Sequence, residues 1–128
     1  GMAARQAAEN MPSTAIDCLR QTLQQHSEQI QQDDEHAYFQ QSGDLDFHYQ
    51  IVQGSGNQHL IKLLCHDLYH LVRMYRYQFG MRSKRGLFAL AEHEHIVAAI
   101  ERGDAEMAEL LMRAHIRASR QNVEHMLA

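Results

Sequence analysis

The sequence predicts an all-α fold, an antiparallel bundle of six or seven helices. Three observations carry this. The 128 residues include one proline and seven glycines, while Ala, Leu, Gln, Glu and Arg are plentiful, and these are good helix formers. Apolar residues recur three and four apart through most of the chain, as the buried stripe of a helix requires. The breakers Pro12, Gly54-Ser55-Gly56 and Gly103 fall between the periodic stretches rather than inside them.

Residues Gly1 to Met11 favour a helix without an N-cap, and Pro12 ends it. Ser13 or Thr14 is placed to cap a second helix, which carries Ile16, Leu19, Leu23 and Ile30 on one stripe and ends near Gln32. Asp33 to Gly43 is mixed, a short helix or turn with Tyr38 and Phe39 packing inward. From Asp44 the pattern tightens, with Asp44, Phe47, His48, Ile51 and Val52 on one face until the glycines stop it. Asn57 then caps a long helix, Gln58 to Phe79, whose expected buried stripe is Leu60, Leu64, Asp67 or Leu68, Leu71, Tyr75 and Phe79. A basic loop, Gly80 to Gly86, precedes a helix from Leu87 to Arg102 that aligns Leu90, His93, Ile96, Val97 and Ile100. Gly103 closes it, and Asp104 caps a last helix with Ala108, Leu111, Met112, His115 and Ala118 on one face. The methionines read mostly as core filler.

Composition narrows the function classes. An apolar content of 45% supports a packed core rather than disorder. The net charge is −4 with histidines neutral, and no basic run marks a nucleic-acid surface. No apolar run reaches the roughly 18 residues of a membrane span, and no signal peptide opens the chain. Cys18 and Cys65 lie far apart without CxxC spacing and read as reduced thiols of a cytoplasmic protein, although spacing alone leaves a disulfide open.

Ten histidines are the unusual number. His26, His36, His59, His66, His70, His95 and His125 read as surface residues. His93 and His95 stand about 200° apart on a helix and cannot share a face. Asp44 and His48, one helical turn apart, share one, and His93 and His115 each lie among apolar neighbours on separate helices. On this spacing two readings stand. Each histidine is a core residue bonded to backbone or to another imidazole, or three imidazoles and a carboxylate converge on one divalent metal ion. The segment LYHLVRMYRYQF also interleaves Tyr75 with Arg73 and Arg76. An arginine there is placed either to clamp an effector carboxylate or to lie in solvent beside a core-edge tyrosine.

From Asp44 to His125 the chain resembles the C-terminal effector-binding (FCD) domain of GntR-family, FadR-type transcription regulators. The residues that carry the resemblance are DLDFH, GSGN before a long helix, EHEHIVAAIERGD and AELLMRAHI. The resemblance implies that Asp44, His48, His93 and His115 ligate one divalent transition metal, zinc first and nickel, manganese or iron otherwise, and that His95 does not. It implies that this metal forms the floor of an internal cavity where a small carboxylate-like metabolite binds, with Arg73, Tyr75 and Arg76 as candidate effector contacts. It also implies a homodimer that reaches operator DNA only through an N-terminal winged helix-turn-helix domain. Nothing like that domain is legible here, so residues 1–128 are expected to form a single effector-binding and dimerisation domain, separated from its DNA-binding domain.

Three functions are thereby in contention. The first is a ligand-sensing, metal-containing regulatory domain with no catalytic residues of its own. The second is a metal-dependent hydrolase, for which only Glu92 and Glu94 lie close enough to a ligand to serve as general base. The third is a helical domain whose metal only ties helices together.

Overall fold

The computed structural model describes residues 1–32, 43–71, 73–74 and 86–127, with the side chains of 32, 43–45, 86 and 87 excepted. It is all-α, and no strand occurs among the described residues. The helices are α1 (Met2–Asn10), α2 (Ser13–Gln32), α3 (Gly43–Gly54), α4 (Gln58–Ile61), α5 (Gly86–Glu101) and α6 (Ala105–Leu127). A π-helical segment, Lys62–Asp67, continues α4. The region expected to hold Tyr38 and Phe39, the loop 80–85, Tyr75 and Arg76 fall outside the described residues.

Breakers and caps act where the sequence placed them, with one shift. Pro12 O accepts from Ala15 N and Ile16 N at 3.0 and 3.1 Å, so α2 starts at Ser13 and neither Ser13 nor Thr14 occupies the cap position. Asn57 caps α4, its Oδ1 accepting from His59 N at 3.1 Å and Leu60 N at 3.2 Å. Gly103, at φ 69°, ends α5 in the left-handed region. There Asp104 N donates to Ala99 O at 2.9 Å and Gly103 N to Ile100 O at 3.0 Å. Asp104 Oδ1 then accepts from Met107 N at 3.1 Å and opens α6. A three-residue connection so firmly bonded sets the register of α6 against α5.

The core is one apolar cluster drawn from α1, α2, α3, α5 and α6. Ala4, Leu19, Leu23, Ile30, Phe47, Ile51, Ile96, Ile100, Ala108 and Met112 are among its buried members. Helix α1 packs along α6 and α5, α6 along α5, and α5 along α2, while α3 lies against α1 and α2. The alanines Ala4 and Ala7 make the α1 contact close, since both are fully buried with no side chain beyond Cβ. Polar bonds hold the seams. Arg5 pairs with Glu109 between α1 and α6, and Arg20 Nε donates to Glu101 Oε2 at 2.6 Å between α2 and α5. Gln50 Nε2 donates to Thr22 Oγ1 at 2.7 Å between α3 and α2. Glu109, bonded by Arg5 and also by Arg113, is held below the usual carboxylate range by those two guanidiniums.

Three expectations need correction. His26 is buried, not a surface residue, because it falls three residues after Leu23 and four before Ile30 on the inward stripe of α2. Of the stripe expected after Asn57, Leu60 and Leu68 are only half-buried, and Tyr75 and Phe79 lie outside the described residues. Ile61 and Cys65 are buried instead, while Leu64 and Leu71 are exposed. The cause is local: Leu68 N donates to Leu63 O at 3.0 Å, an i→i+5 bond that widens the turn and rotates the face an ordinary helix would bury. The methionines divide, with Met112 in the core but Met2, Met74 and Met107 exposed.

Replacing Gly103 by Ala is expected to cost about 1–2 kcal/mol, the penalty of a Cβ in the left-handed region. The nearest atom to that Cβ, Ala8 O at 3.7 Å, makes only ordinary contact, so backbone strain alone accounts for the loss. Urea unfolding of wild type and Gly103→Ala checks it, and an unchanged midpoint would contradict the assignment.

Candidate metal centre

Three helices deliver one histidine each to a common point. His48 comes from α3, His93 from α5 and His115 from α6. His93 and His115 are buried and His48 is half-buried. The arrangement follows from phase. His48 follows Phe47 on the inward side of α3, His93 lies between Leu90 and Ile96–Val97 on α5, and His115 follows Met112 by one turn on α6.

The ring nitrogens converge. Nε2 of His115 stands 3.2 Å from Nε2 of His93 and 3.2 Å from Nε2 of His48. One donor atom from each of the three lies within 4.8 Å of the others. Packing sets each ring. Phe47 stacks on His93 with centroids 4.0 Å apart and planes 13° apart, and the His48 and His115 rings lie near parallel at 5.1 Å. His93 meets His48 and His115 edge to face, at 5.3 and 4.6 Å.

His115 is oriented from its other side. Its Nδ1 lies 2.5 Å from Glu92 Oε2. A carboxylate only accepts, so the Nδ1 proton is donated to Glu92 and the lone pair of His115 is left on Nε2, toward the other two rings. A carboxylate behind a histidine in this way is the arrangement that holds metal-ligating imidazoles in position.

The donor set fits a divalent transition metal. Nitrogens at about 2.0–2.1 Å from one ion, at tetrahedral to octahedral angles, stand about 2.9–3.4 Å apart. The two 3.2 Å separations fall in that range. One ring lone pair also accepts only one in-line hydrogen bond, whereas two ring nitrogens approach His115 Nε2 equally closely. A cation between the three uses all three lone pairs at once.

Of the four residues singled out from the sequence, the structure brings His48, His93 and His115 together. Asp44 lies one turn before His48 on α3, and its side chain falls outside the described residues. Arg73 is exposed, and its charge opposes the upward push that burial gives the Asp46 carboxyl. Tyr75 and Arg76 lie outside the described residues. His95 is exposed, as its phase requires. Glu92 is the residue that sequence reasoning weighed only as a general base. Its bond to His115 spans 23 positions and needs the α5–α6 register, which no local spacing reveals.

A cavity of about 220 Å³ adjoins the cluster through His48, between α1, α3, α6 and the π-helical segment. No described helix is long and apolar enough to cross a membrane.

The family model described as the FCD domain matches residues 1–118. No curated protein matches the chain.

Truncating the ring that holds His93 tests the geometry directly. Phe47→Ala is expected to cost about 3–5 kcal/mol, as for other buried aromatics cut to alanine, because Phe47 is fully buried against both His93 and the core. Denaturant unfolding measures it, and a loss under about 1 kcal/mol would show that the stack bears little weight.

Proposed function

The chain belongs to the FCD domain family, a family of regulatory effector-binding domains, and on that premise we propose that it is the ligand-sensing, metal-containing domain of a GntR-type transcription regulator. One observation carries the reading: three imidazole nitrogens from three helices meet at metal-ligand separations, with a carboxylate behind one of them. His48, His93 and His115 hold one divalent ion, zinc in the first instance, with nickel, manganese or iron as the other candidates. Asp44, one turn from His48, supplies the fourth donor. Bound there, the ion is a Lewis acid with positions left for an oxygen ligand.

The chain's own residues do the rest. Glu92 keeps the His115 lone pair turned inward, Phe47 holds the His93 ring, and the surrounding apolar side chains exclude water. A small carboxylate metabolite binds at the ion, against His48 where the cavity opens. Because α3, α5 and α6 each contribute a ligand, an effector that favours one arrangement of these helices shifts the population of the whole bundle. That shift changes how DNA-binding domains joined to it sit on an operator in the cytoplasm. Arg73, Tyr75 and Arg76 remain candidate effector contacts in this proposal.

Two copies of the domain pair in solution. The support is the apolar surface after α4, where Leu63, Leu71 and Met74 are 46%, 58% and 61% exposed.

Elemental analysis is expected to find close to one divalent metal per chain, and a strong chelator to lower the melting temperature. His48→Ala should lose the metal while far-UV circular dichroism stays helical. Glu92→Gln should weaken metal affinity about 10–100-fold. A metal-free preparation whose melting is unmoved by chelator or added zinc would end the reading. For the pairing, sedimentation of wild type is expected to show a dimer and Leu71→Glu/Met74→Glu a monomer, and a wild-type monomer at micromolar concentration would refute it.

A further inference from the structure

The cavity beside His48 has a chemical character of its own. Its walls are Ile51 and Val52 of α3, Met112 and Ile116 of α6, and Leu64, Cys65 and Tyr69 from the stretch that opens with the π-helical segment. A turn closed by i→i+5 bonds carries residues four and five apart on one face, which sets Cys65 and Tyr69 on the cavity side with the exposed Leu64 at its rim. Wide turns of this kind are frequent at functional sites. Tyr49 meets Tyr69 edge to face, centroids 6.2 Å apart, at the cavity's border.

Among the described residues, the polar side-chain groups on these walls are the His48 ring, the Cys65 thiol and the hydroxyls of Tyr49 and Tyr69. Burial raises the Cys65 thiol, with a bond from Gln53 opposing, so the group stays a neutral thiol. No lysine or arginine is among the described lining residues. A second carboxylate placed here would lose water without meeting a cationic partner among the described lining residues. Methylene groups would lose water at a profit of about fourfold in affinity each.

We propose that this cavity is the specificity pocket of the effector site, and that it selects a monocarboxylate with a short aliphatic tail, the carboxylate at the histidine cluster and the tail between Val52, Cys65, Met112 and Ile116. The proposal rests on the metal reading for the head group but not for the tail. Diacids of equal length are disfavoured at the tail end because a second carboxylate meets no cationic group among the described lining residues. Val52 and Ile116, one turn beyond His48 and next to His115, set how long a tail fits.

The test is calorimetric titration of the chain with straight-chain monocarboxylates from acetate to hexanoate, and with succinate and glutarate. Each series is run with zinc added and again on the chain as purified. Affinity is expected to rise about fourfold per methylene until the pocket is full, and the diacids to bind at least tenfold more weakly than monoacids of the same length. Val52→Phe and, at the more open Ile116, Ile116→Phe should each abolish the gain from butyrate onward. A flat series, or diacids equal to monoacids, overturns the proposal even if zinc strengthens every ligand. A methylene increment that persists while zinc changes nothing upholds the tail pocket and sinks the metal reading instead.

Discussion

Burying imidazole is costly unless both of its nitrogens find partners, and this bundle buries two of them completely at the meeting of three helices. His93 and His115 are buried, and Nε2 of each answers the other, with His48 beside His115 Nε2 and Glu92 on His115 Nδ1. That requirement fixes more than the site. Helix α5 supplies both His93 and the carboxylate that orients His115 on α6, so the two helices are locked in register by the same few atoms that form the cluster. A slip of one residue along α5 would put Glu92 or Glu94 at the centre in place of His93, and one along α6 would put Ala114 or Ile116 there in place of His115.

The rest of the architecture serves that register. The tightly bonded turn at Gly103 and Asp104 leaves α5 and α6 no freedom to slide. Helix α1, with alanines on its inner face, packs closely against both and is held to α6 through Arg5 and Glu109. Helix α2 covers the far side of α5. Phe47 joins the two kinds of packing, since one ring belongs at once to the apolar core and to the stack on His93. Stability and site geometry are therefore not separable here: the residues that exclude water from the histidines are those that hold the bundle together.

That coupling is what a sensing domain needs. A ligand that touches a cluster shared by three helices acts on all of them, whereas a ligand held by one loop would act on that loop alone. The π-helical segment adds a second means. It leaves Leu63 and Leu71 exposed and turns Cys65 and Tyr69 toward the space beside His48. One local irregularity thus shapes the pocket wall and leaves an apolar surface outside.

The sequence by itself determined the all-α class, the breaks at Pro12, Gly54-Ser55-Gly56 and Gly103, the caps Asn57 and Asp104, and the inward faces of α2, α3, α5 and α6, because each depends only on residues within a turn or two of one another. It singled out His48, His93 and His115 for the same reason: each sits in phase with apolar neighbours. His26 was legible on that rule and was missed because its charge type outweighed its phase. Tertiary structure alone decided that the three histidines meet at one point, that Glu92 stands behind His115 and that the face after Asn57 is Ile61 and Cys65. Those outcomes depend on the register between helices and on one wide turn, and helical periodicity carries no information about either.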